Sequence, residues 1–431
     1  MKSNATTQII IHGTVAAGFE SVKEIFEQNM NTLAEENAQL CVFVGENRVV
    51  DLWATATADA AFNADSLVNI FSSGKSLEAI AMASLVAKGL LNYDAKVIDY
   101  WPEFGASGKQ SLTVAQLMRH EAGLAAFDVS LDPKDLHREN LKLNKIGSII
   151  EQQTQKYRQG EGQTREYHAI TRGWIINEVF RRVDPQGRTL GEFLREDISN
   201  PLGVDVVVGV EKEELPRISK IVPLGIGAHL LASLKPTVFG RKVKDNFFQI
   251  CGKILRMIPA VRKSTTSGAP PPFTTMKNLD VFNDPDIVMG ETSSANAHCS
   301  ARGLAKTAAV MAVGGTWEGI EVLSENAWNA LHKDPIKADM GLRTTFTQGG
   351  VALFDKVTQE STKLESAANQ GREGFYGWMG LGGSIFQWHP QEKIGFAFVP
   401  TSLHLLDFVN ERGKMYQNEV LRCLKTIAAS T

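Results

Sequence analysis

The placement of strand-like segments at the two ends of this chain constrains its fold more than any other feature. Near the amino end, residues 39–53 contain two apolar runs separated by Gly-Glu-Asn, a pattern that predicts a β-hairpin. Residues 383–388 and 393–400 form two further strand-like runs, and helical periodicity dominates between the two regions. We therefore expect an α/β (α+β) fold, with an antiparallel sheet built from both chain ends and a large helical domain inserted between them.

Apolar spacing also predicts the helices that flank this sheet, over about 17–36 and 405–427. Further helices are expected from Ser72 to about Gly89, after capping boxes at 113–116 and 189–192, and over about 169–183 and 301–313. We treat 1–431 as one unit, in which 10–75 and 340–431 form an α/β sheet subdomain and 76–339 form a mostly helical subdomain.

The composition, 43% hydrophobic and 22% charged, is typical of a globular protein. A formal net charge of −3 gives no reason to expect a nucleic-acid partner. No run reaches about 18 apolar residues, so we expect no membrane span, and residues 1–13 lack the apolar core of a secretory leader. The four cysteines lie far apart, which favours reduced thiols and a cytoplasmic location. The sequence leaves the oligomeric state open.

One segment, 224–263, has an unusual charge pattern. It carries eight basic residues against one acidic residue, interleaved with leucine, isoleucine and phenylalanine. A pair of surface helices with a solvated basic face is one interpretation. The alternatives are a lid over the functional site, or an interfacial segment that makes a weak contact with anionic lipid.

A serine and a lysine three residues apart open the helix that begins at Ser72. In a first helical turn this spacing brings Ser72 and Lys75 onto one face, close enough to interact. Serine needs an adjacent base to act as a nucleophile, and lysine can be that base only when its pKa is lowered. A helix amino terminus favours both an alkoxide and a neutral amine. The segment therefore has the chemistry of a nucleophile and its base, although so short a pattern also occurs by chance.

Two other interpretations of this segment follow from the residues alone. Ser72 can simply cap the helix. Residues 69–76 also resemble the phosphate-binding loop G-x-x-x-x-G-K-[ST], except that Asn69 replaces its first glycine. Because that glycine permits the tight turn around phosphate, and no alternating strand–helix series follows, the sequence disfavours a nucleotide-binding protein.

Six blocks of sequence resemble the serine β-lactamase-related family, which includes class C β-lactamases, D-alanyl-D-alanine peptidases and family VIII carboxylesterases. The blocks follow the family order, cover nearly the whole chain, and lie at 67–76, 89–104, 117–124, 167–174, 294–303 and 377–384. The resemblance implies that Ser72 is the nucleophile and Lys75 its partner. It also implies that Tyr167 opens the family's second motif, where a phenolate or a Tyr–Lys pair takes the serine proton and returns it to the leaving group.

The third family motif corresponds to Trp378, Met379 and Gly380, where the lactamases carry Lys-Thr-Gly. We expect Gly380 to let substrate approach the strand edge. There the backbone N–H of Leu381 would join that of Ser72 as an oxyanion hole.

Two departures from the lactamase pattern bear on the substrate. The missing lysine and threonine are the groups that bind a lactam or peptide carboxylate, and Trp378 is similar to the W-x-G of the carboxylesterase branch. Ala169 stands where the second motif of the lactamases has asparagine. The resemblance thus implies an acyl-enzyme carboxylesterase of small esters, with no metal and no cofactor. The alternatives are β-lactam or D-amino peptide hydrolysis, and a catalytically idle binding or assembly protein.

The remaining polar candidates are weaker. Asn296 can present its amide to substrate or stabilise a loop. Residues 120–121 begin like the zinc motif H-E-x-x-H, but position 124 is leucine. We interpret His168 and His298 as structural, hydrogen-bonded histidines. No G-x-S-x-G elbow is present, which disfavours an α/β-hydrolase triad.

Overall fold

The computed structural model describes residues 9–57, 61–157 and 165–430. Residues 1–8, part of the stretch assessed for a leader, lie outside this range. The strands are β1 (Ile11–Val15), β2 (Asn37–Val44), β3 (Asn47–Thr55), β4 (Leu67–Asn69), β5 (Val206–Val208), β6 (Ile218–Ser219), β7 (Val222–Leu224), β8 (Ala297–Cys299), β9 (Thr316–Trp317), β10 (Ile320–Glu321), β11 (Ile336–Asp339), β12 (Arg343–Phe346), β13 (Ala352–Leu353), β14 (Tyr376–Met379), β15 (Ile385–His389), β16 (Ile394–Pro400) and β17 (Ser402–His404). The helices are α1 (Glu20–Thr32), α2 (Lys75–Ala87), α3 (Val114–Met118), α4 (Arg138–Leu141), α5 (Lys145–Gln152), α6 (Thr171–Val183), α7 (Leu190–Phe193), α8 (Asn200–Leu202), α9 (Ile226–Ser233), α10 (Phe247–Lys263), α11 (Pro285–Val288), α12 (Ala301–Ala312), α13 (Glu325–His332), α14 (Lys363–Asn369) and α15 (Glu411–Ser430).

A nine-stranded antiparallel sheet is built from both ends of the chain, in the order β1-β3-β2-β16-β15-β14-β13-β12-β11. The predicted hairpin is β2 and β3. β2 lies beside β16 from the other end of the chain, with Leu40 opposite Phe398 and Val42 opposite Phe396. The predicted fold class is therefore confirmed.

The two faces of the sheet belong to different cores, because successive side chains of a strand point to opposite sides. Phe396 and Phe398 pack with α1 and α15, the two predicted flanking helices, where Phe26 meets Tyr416 at 5.9 Å between ring centroids. Ala397, between those phenylalanines, belongs to the core formed with α2 and α12. The segment at Ser72 thus lies between the sheet and the inserted helices.

The sequence pattern did not predict four strands of the main sheet, β1 and β11 to β13, whereas the strand of the third motif, β14, was expected from the family resemblance. Three residues of the edge strand β11 are exposed, so it carries no apolar alternation to reveal it. The sheet accordingly resumes at Ile336, before the expected boundary at 340. The predicted start of the last helix at 405 was wrong. α15 begins at Glu411 because Asn410 has a left-handed φ of 50° and Asp407 accepts the Glu411 N–H at 2.8 Å.

β4 delivers the chain to the candidate site. It pairs in a smaller sheet of order β5-β8-β4-β6 and leads into a 3₁₀ turn, Phe71–Gly74, from which α2 continues. The predicted helix after Ser72 is therefore present, and Gly89 follows it with a φ of 67°. Both predicted capping boxes form, at α3 and α7. Among the described residues, no helix combines the length and apolar character needed to cross a bilayer.

Candidate active site

The turn that carries Ser72 has an unusual backbone. Phe71, the residue before it, has a φ of 46°, which side-chain-bearing residues rarely adopt. The Asn69 side chain holds this conformation, because its Oδ1 accepts the Phe71 N–H at 2.7 Å. Next to the serine, Gly74 lies so close to the carbonyl of Ser293 that a Cβ would be 2.2 Å from its oxygen. The chain thus stores strain to present Ser72 at the start of α2.

The side chains of Ser72, Lys75 and Tyr167 lie together in the structure. The Ser72 hydroxyl makes a short hydrogen bond with the Tyr167 hydroxyl. Lys75 Nζ lies 3.4 Å from Ser72 Oγ on the same helical face, and 4.9 Å from the centre of the Tyr167 ring. Three groups that can exchange a proton therefore share one site.

The surroundings of Lys75 fix the orientation of its amine. Nζ donates to two backbone carbonyls, Ala169 O at 2.7 Å and Ser294 O at 3.0 Å. A neutral amine has two N–H bonds and one lone pair, so these two acceptors use both N–H groups and leave the lone pair for Ser72 Oγ. In the sequence, Ala169 was noted only because it lacks the asparagine side chain of the lactamase motif. In the structure it contributes through its backbone carbonyl.

The protonation states of the pair differ sharply. Lys75 is fully buried, and burial together with the Arg172 guanidinium lowers its pKa to about 7, although the Glu78 carboxylate acts in the opposite direction. Burial raises the pKa of Tyr167 to about 12, against the opposing effect of its hydrogen bond with Ser72. Near neutral pH the lysine is therefore the group that titrates, while the tyrosine stays a phenol.

Beneath Lys75 lies a buried ion pair that the sequence analysis missed. Arg172 Nε is 3.0 Å from Glu78 Oε2, and both side chains are fully buried. Glu78 also accepts the hydroxyl groups of Ser293 and Ser294 at 2.9 and 2.6 Å. Glu78 lies three residues after Lys75 on α2, so helical spacing placed it on the same face. No pattern in the sequence identified Arg172 as its partner.

His120 belongs to this buried layer. Its Nδ1 accepts the His168 N–H at 3.0 Å, and its Nε2 lies 3.2 Å from Arg172 Nη1. Burial and the nearby cations hold its pKa well below the usual value, so the ring is neutral. The structural interpretation of the other two histidines also holds, since His168 accepts the Leu124 N–H at 2.9 Å and His298 bonds backbone within its own segment.

The strand β14 forms the opposite wall of the site. Trp378 stacks on Phe346 with 4.9 Å between ring centroids, lies 6.1 Å from the Tyr167 ring, and donates its indole N–H to Gly350 O at 2.9 Å. Its ring also lies 5.6 Å from Lys75 Nζ, which helps to keep water from the amine. Trp378 therefore forms one wall of the site, and its contacts link Tyr167 to Phe346 and to the backbone of Gly350.

Gly380 has a more specific role than the sequence indicated. A Cβ at this position would lie 2.3 Å from the carbonyl oxygen of Ile70 and 2.1 Å from Ser384 Oγ. The glycine thus lets β14 approach the Ser72 turn itself. Leu381 begins a short 3₁₀ turn, where an N–H has no acceptor within its own helix. The N–H of Ser72 likewise has no acceptor within its own 3₁₀ turn.

A cavity of about 390 Å³ opens in front of Ser72 and Tyr167. Trp378, Gly380 and Leu381 line it beside them. The rest of the wall is mostly apolar and includes Leu342, Phe346, Leu353, Phe354, Leu405 and Phe408. These residues lie on or directly beside the unpredicted strands β12 and β13 and in the turn before α15, so the sequence analysis could not assemble them.

Asn296 takes the loop-stabilising role of the two that the sequence allowed. Its amide nitrogen donates to the carbonyls of Ile287 and Gly290, and its oxygen lies 3.4 Å from Asn69 Nδ2. Because both ends of the fully buried amide face protein groups, Asn296 supports the loop that holds Ser72.

Comparison with known protein families and curated proteins shows what this chain is similar to in sequence. A model of the beta-lactamase family matches residues 22–415, nearly the whole chain. The chain belongs to the beta-lactamase family. A curated relative, "Esterase/beta-lactamase LipL" of Mycobacterium tuberculosis, is 27% identical over 377 residues, which cover 84% of this chain and 76% of that protein.

Solved structures of the family share the fold. A penicillin-binding protein homologue from Caulobacter crescentus is 25% identical with a TM-score of 0.72, covering 96% of this chain and 100% of that one. A family VIII carboxylesterase is 24% identical with a TM-score of 0.74 and the same coverage. A D-amino acid amidase from Ochrobactrum anthropi is 14% identical with a TM-score of 0.61, over 96% of this chain and 100% of that one. The last two are likenesses of fold alone.

Proposed function

We propose that this protein is a serine hydrolase that forms an acyl-enzyme on Ser72 and acts as a carboxylesterase on small esters. The observation that carries the proposal is the contact of the Ser72 hydroxyl with a buried amine and a phenol at the edge of an apolar cavity. The fully buried Lys75 is expensive for a fold to keep unless its neutral form is used.

In the first half of the reaction, Ser72 Oγ attacks the ester carbonyl and its proton passes to neutral Lys75, directly or through the Tyr167 hydroxyl. The N–H groups of Ser72 and Leu381 stabilise the oxyanion. When the tetrahedral intermediate collapses, the C–O bond to the alcohol breaks, Tyr167 gives a proton to the leaving oxygen, and the Lys75 ammonium reprotonates Tyr167 and becomes neutral again. Water then attacks the acyl-Ser72 carbonyl and gives its proton to neutral Lys75. When this second intermediate collapses, the bond between the acyl carbon and Ser72 Oγ breaks, Lys75 returns the proton to Oγ, and the acid is released.

The cavity wall favours neutral, apolar esters over β-lactams. Trp378 and Met379 stand where the lactamases of this family present lysine and threonine to a substrate carboxylate. The apolar wall formed by the residues around Phe346 and Leu405 is suited to an acyl or alkyl group. Chromogenic cephalosporin turnover that is lost in Lys75→Ala would support the lactamase alternative instead.

A fluorophosphonate probe tests the proposed nucleophile. The expected result is one covalent adduct per chain, located by peptide mass spectrometry on Ser72. The matched control is Ser73→Ala, because Ser73 lies next to the proposed nucleophile but its hydroxyl bonds Ser384 Oγ at 3.0 Å. Ser73→Ala should still be labelled and Ser72→Ala should not. An unlabelled wild-type protein without turnover of any ester, amide or lactam would favour the idle binding module.

The activity should depend on pH through Lys75. Its pKa is about 7, and the ammonium form present below that pH has no lone pair to accept the serine proton. We therefore expect kcat/KM for an aryl ester to fall about tenfold for each pH unit below about 7 and to level off above it. Because the pKa of Tyr167 is about 12, the plateau should continue through pH 9. A profile that is flat between pH 5 and 9 would contradict Lys75 as the base.

A further inference from the structure

The segment 224–263 contains more exposed large hydrophobic residues than any other part of the described chain of similar length. Fifteen large hydrophobic residues are exposed in the described chain as a whole. Eight of them lie between Ile226 and Leu255. They occupy α9, α10 and the turn that joins them, and include Val238 at 86%, Phe239 at 75%, Phe248 at 83% and Leu255 at 65% exposure. Single exposed hydrophobic residues are normal, but a concentration of this kind marks an interaction surface.

The acidic and basic side chains of the same segment differ in their exposure to solvent. Its one acidic residue, Asp245, is buried and pairs with the equally buried Lys253 at 2.8 Å. Lys235, Lys242 and Arg256 are instead exposed. The face that meets solvent over 226–256 therefore combines hydrophobic side chains with positive charge and presents no acidic side chain from this segment.

Both ends of the segment are fixed to the candidate active site. At one end, β7 pairs with β17, and β17 leads directly to Leu405 in the cavity wall. At the other end, Ser264 and Thr265 donate to the Glu166 carboxylate at 2.9 Å or less, and Glu166 adjoins Tyr167. The exposed apolar surface is thus joined to both sides of the cavity.

We propose that the 224–263 segment is a docking surface for a membrane of anionic lipid. The combination of aromatic and aliphatic side chains with lysine and arginine is the chemistry that binds a headgroup and acyl-chain boundary. Docking would hold the cavity beside that surface. The binding does not depend on the proposed hydrolysis, so Ser72→Ala should bind as the wild type does.

Vesicle flotation tests this docking. We expect the full chain to float with equimolar phosphatidylcholine and phosphatidylglycerol vesicles, and much less with phosphatidylcholine alone. Binding should weaken from 0.1 to 1 M salt, because the screening length falls from about 10 to about 3 Å. The double variant Lys235→Glu/Lys242→Glu should bind about tenfold or more weakly, since each cation near an anionic surface contributes roughly fivefold. Lys212→Glu/Lys277→Glu, two exposed lysines outside the segment, is the matched control and should bind normally.

The apolar half of the surface is tested separately. The variant Val238→Ser/Phe239→Ser/Phe248→Ser should lose about tenfold or more in vesicle binding, since the buried area of such side chains is what drives insertion. Its control, Val129→Ser/Leu143→Ser, alters exposed hydrophobic residues elsewhere and should not. Turnover of a water-soluble ester reports correct folding of each variant. Failure of the wild type to float with anionic vesicles would overturn the proposal. So would a dimer in sedimentation velocity that the three serine substitutions dissociate, because a second copy would then cover the face.

Discussion

Replacing Lys75 with methionine is expected to lower kcat/KM for an aryl ester by about a thousandfold, while the protein remains folded. Methionine has a similar length and no charge, so it removes the base without leaving a cavity. The substitution leaves the carbonyls of Ala169 and Ser294 without their donor, but it also removes a buried amine. These effects oppose each other, and we expect the free energy of unfolding to change by less than about 2 kcal/mol.

The matched control for Lys75→Met is the same substitution at another lysine close to α2. Lys88 lies just after α2, is exposed, and pairs with Asp197 at 3.3 Å. Lys88→Met should keep wild-type activity, whereas Ser72→Ala sets the floor that Lys75→Met should approach. Lys75→Arg should also be inactive, because arginine stays protonated. If Lys75→Met retained most of its turnover, a group other than Lys75 would have to take the serine proton.

Replacing Glu78 with glutamine is expected to reduce the free energy of unfolding by about 3–5 kcal/mol. The change leaves the guanidinium of Arg172 fully buried without its counter-charge. The double variant Glu78→Gln/Arg172→Met should recover part of the loss, because it removes the orphaned charge too. Urea unfolding measures each value. As a control, Arg422→Met breaks the exposed pair with Glu419 and should cost less than about 1 kcal/mol.

The Glu78→Gln variant allows a second measurement, the pH profile of kcat/KM. This profile would not change if Glu78 only supported the fold. The Glu78 carboxylate raises the pKa of Lys75, so its removal disfavours the ammonium form and lowers that pKa further. The acid limb of the kcat/KM profile should therefore move below pH 7 in Glu78→Gln. An unshifted limb would mean that Glu78 supports the fold only and does not tune Lys75.

Motifs close together in sequence were predictable because helical geometry relates them directly. The spacing of Ser72 and Lys75 required only the turn at the start of α2, and the structure has it. Tyr167 and Trp378 were found through family resemblance, since no local rule connects residues so far apart. The strands β11 to β13 were not found. Their exposed or very short segments lack the alternation that reveals a strand, and they gain stability from their neighbours in the sheet.

By itself the sequence determined that this chain builds an antiparallel sheet from its two ends and carries Ser72, Lys75, Tyr167 and the strand ending at Gly380 in the family order. Only the tertiary structure decided the environment of the Lys75 amine. Its low pKa depends on complete burial and on Arg172, and its orientation depends on the carbonyls of Ala169 and Ser294. The packing also turned Asn296 inward and assembled the apolar cavity. Desolvation and backbone direction arise from packing between distant segments, and so they have no counterpart in local sequence pattern.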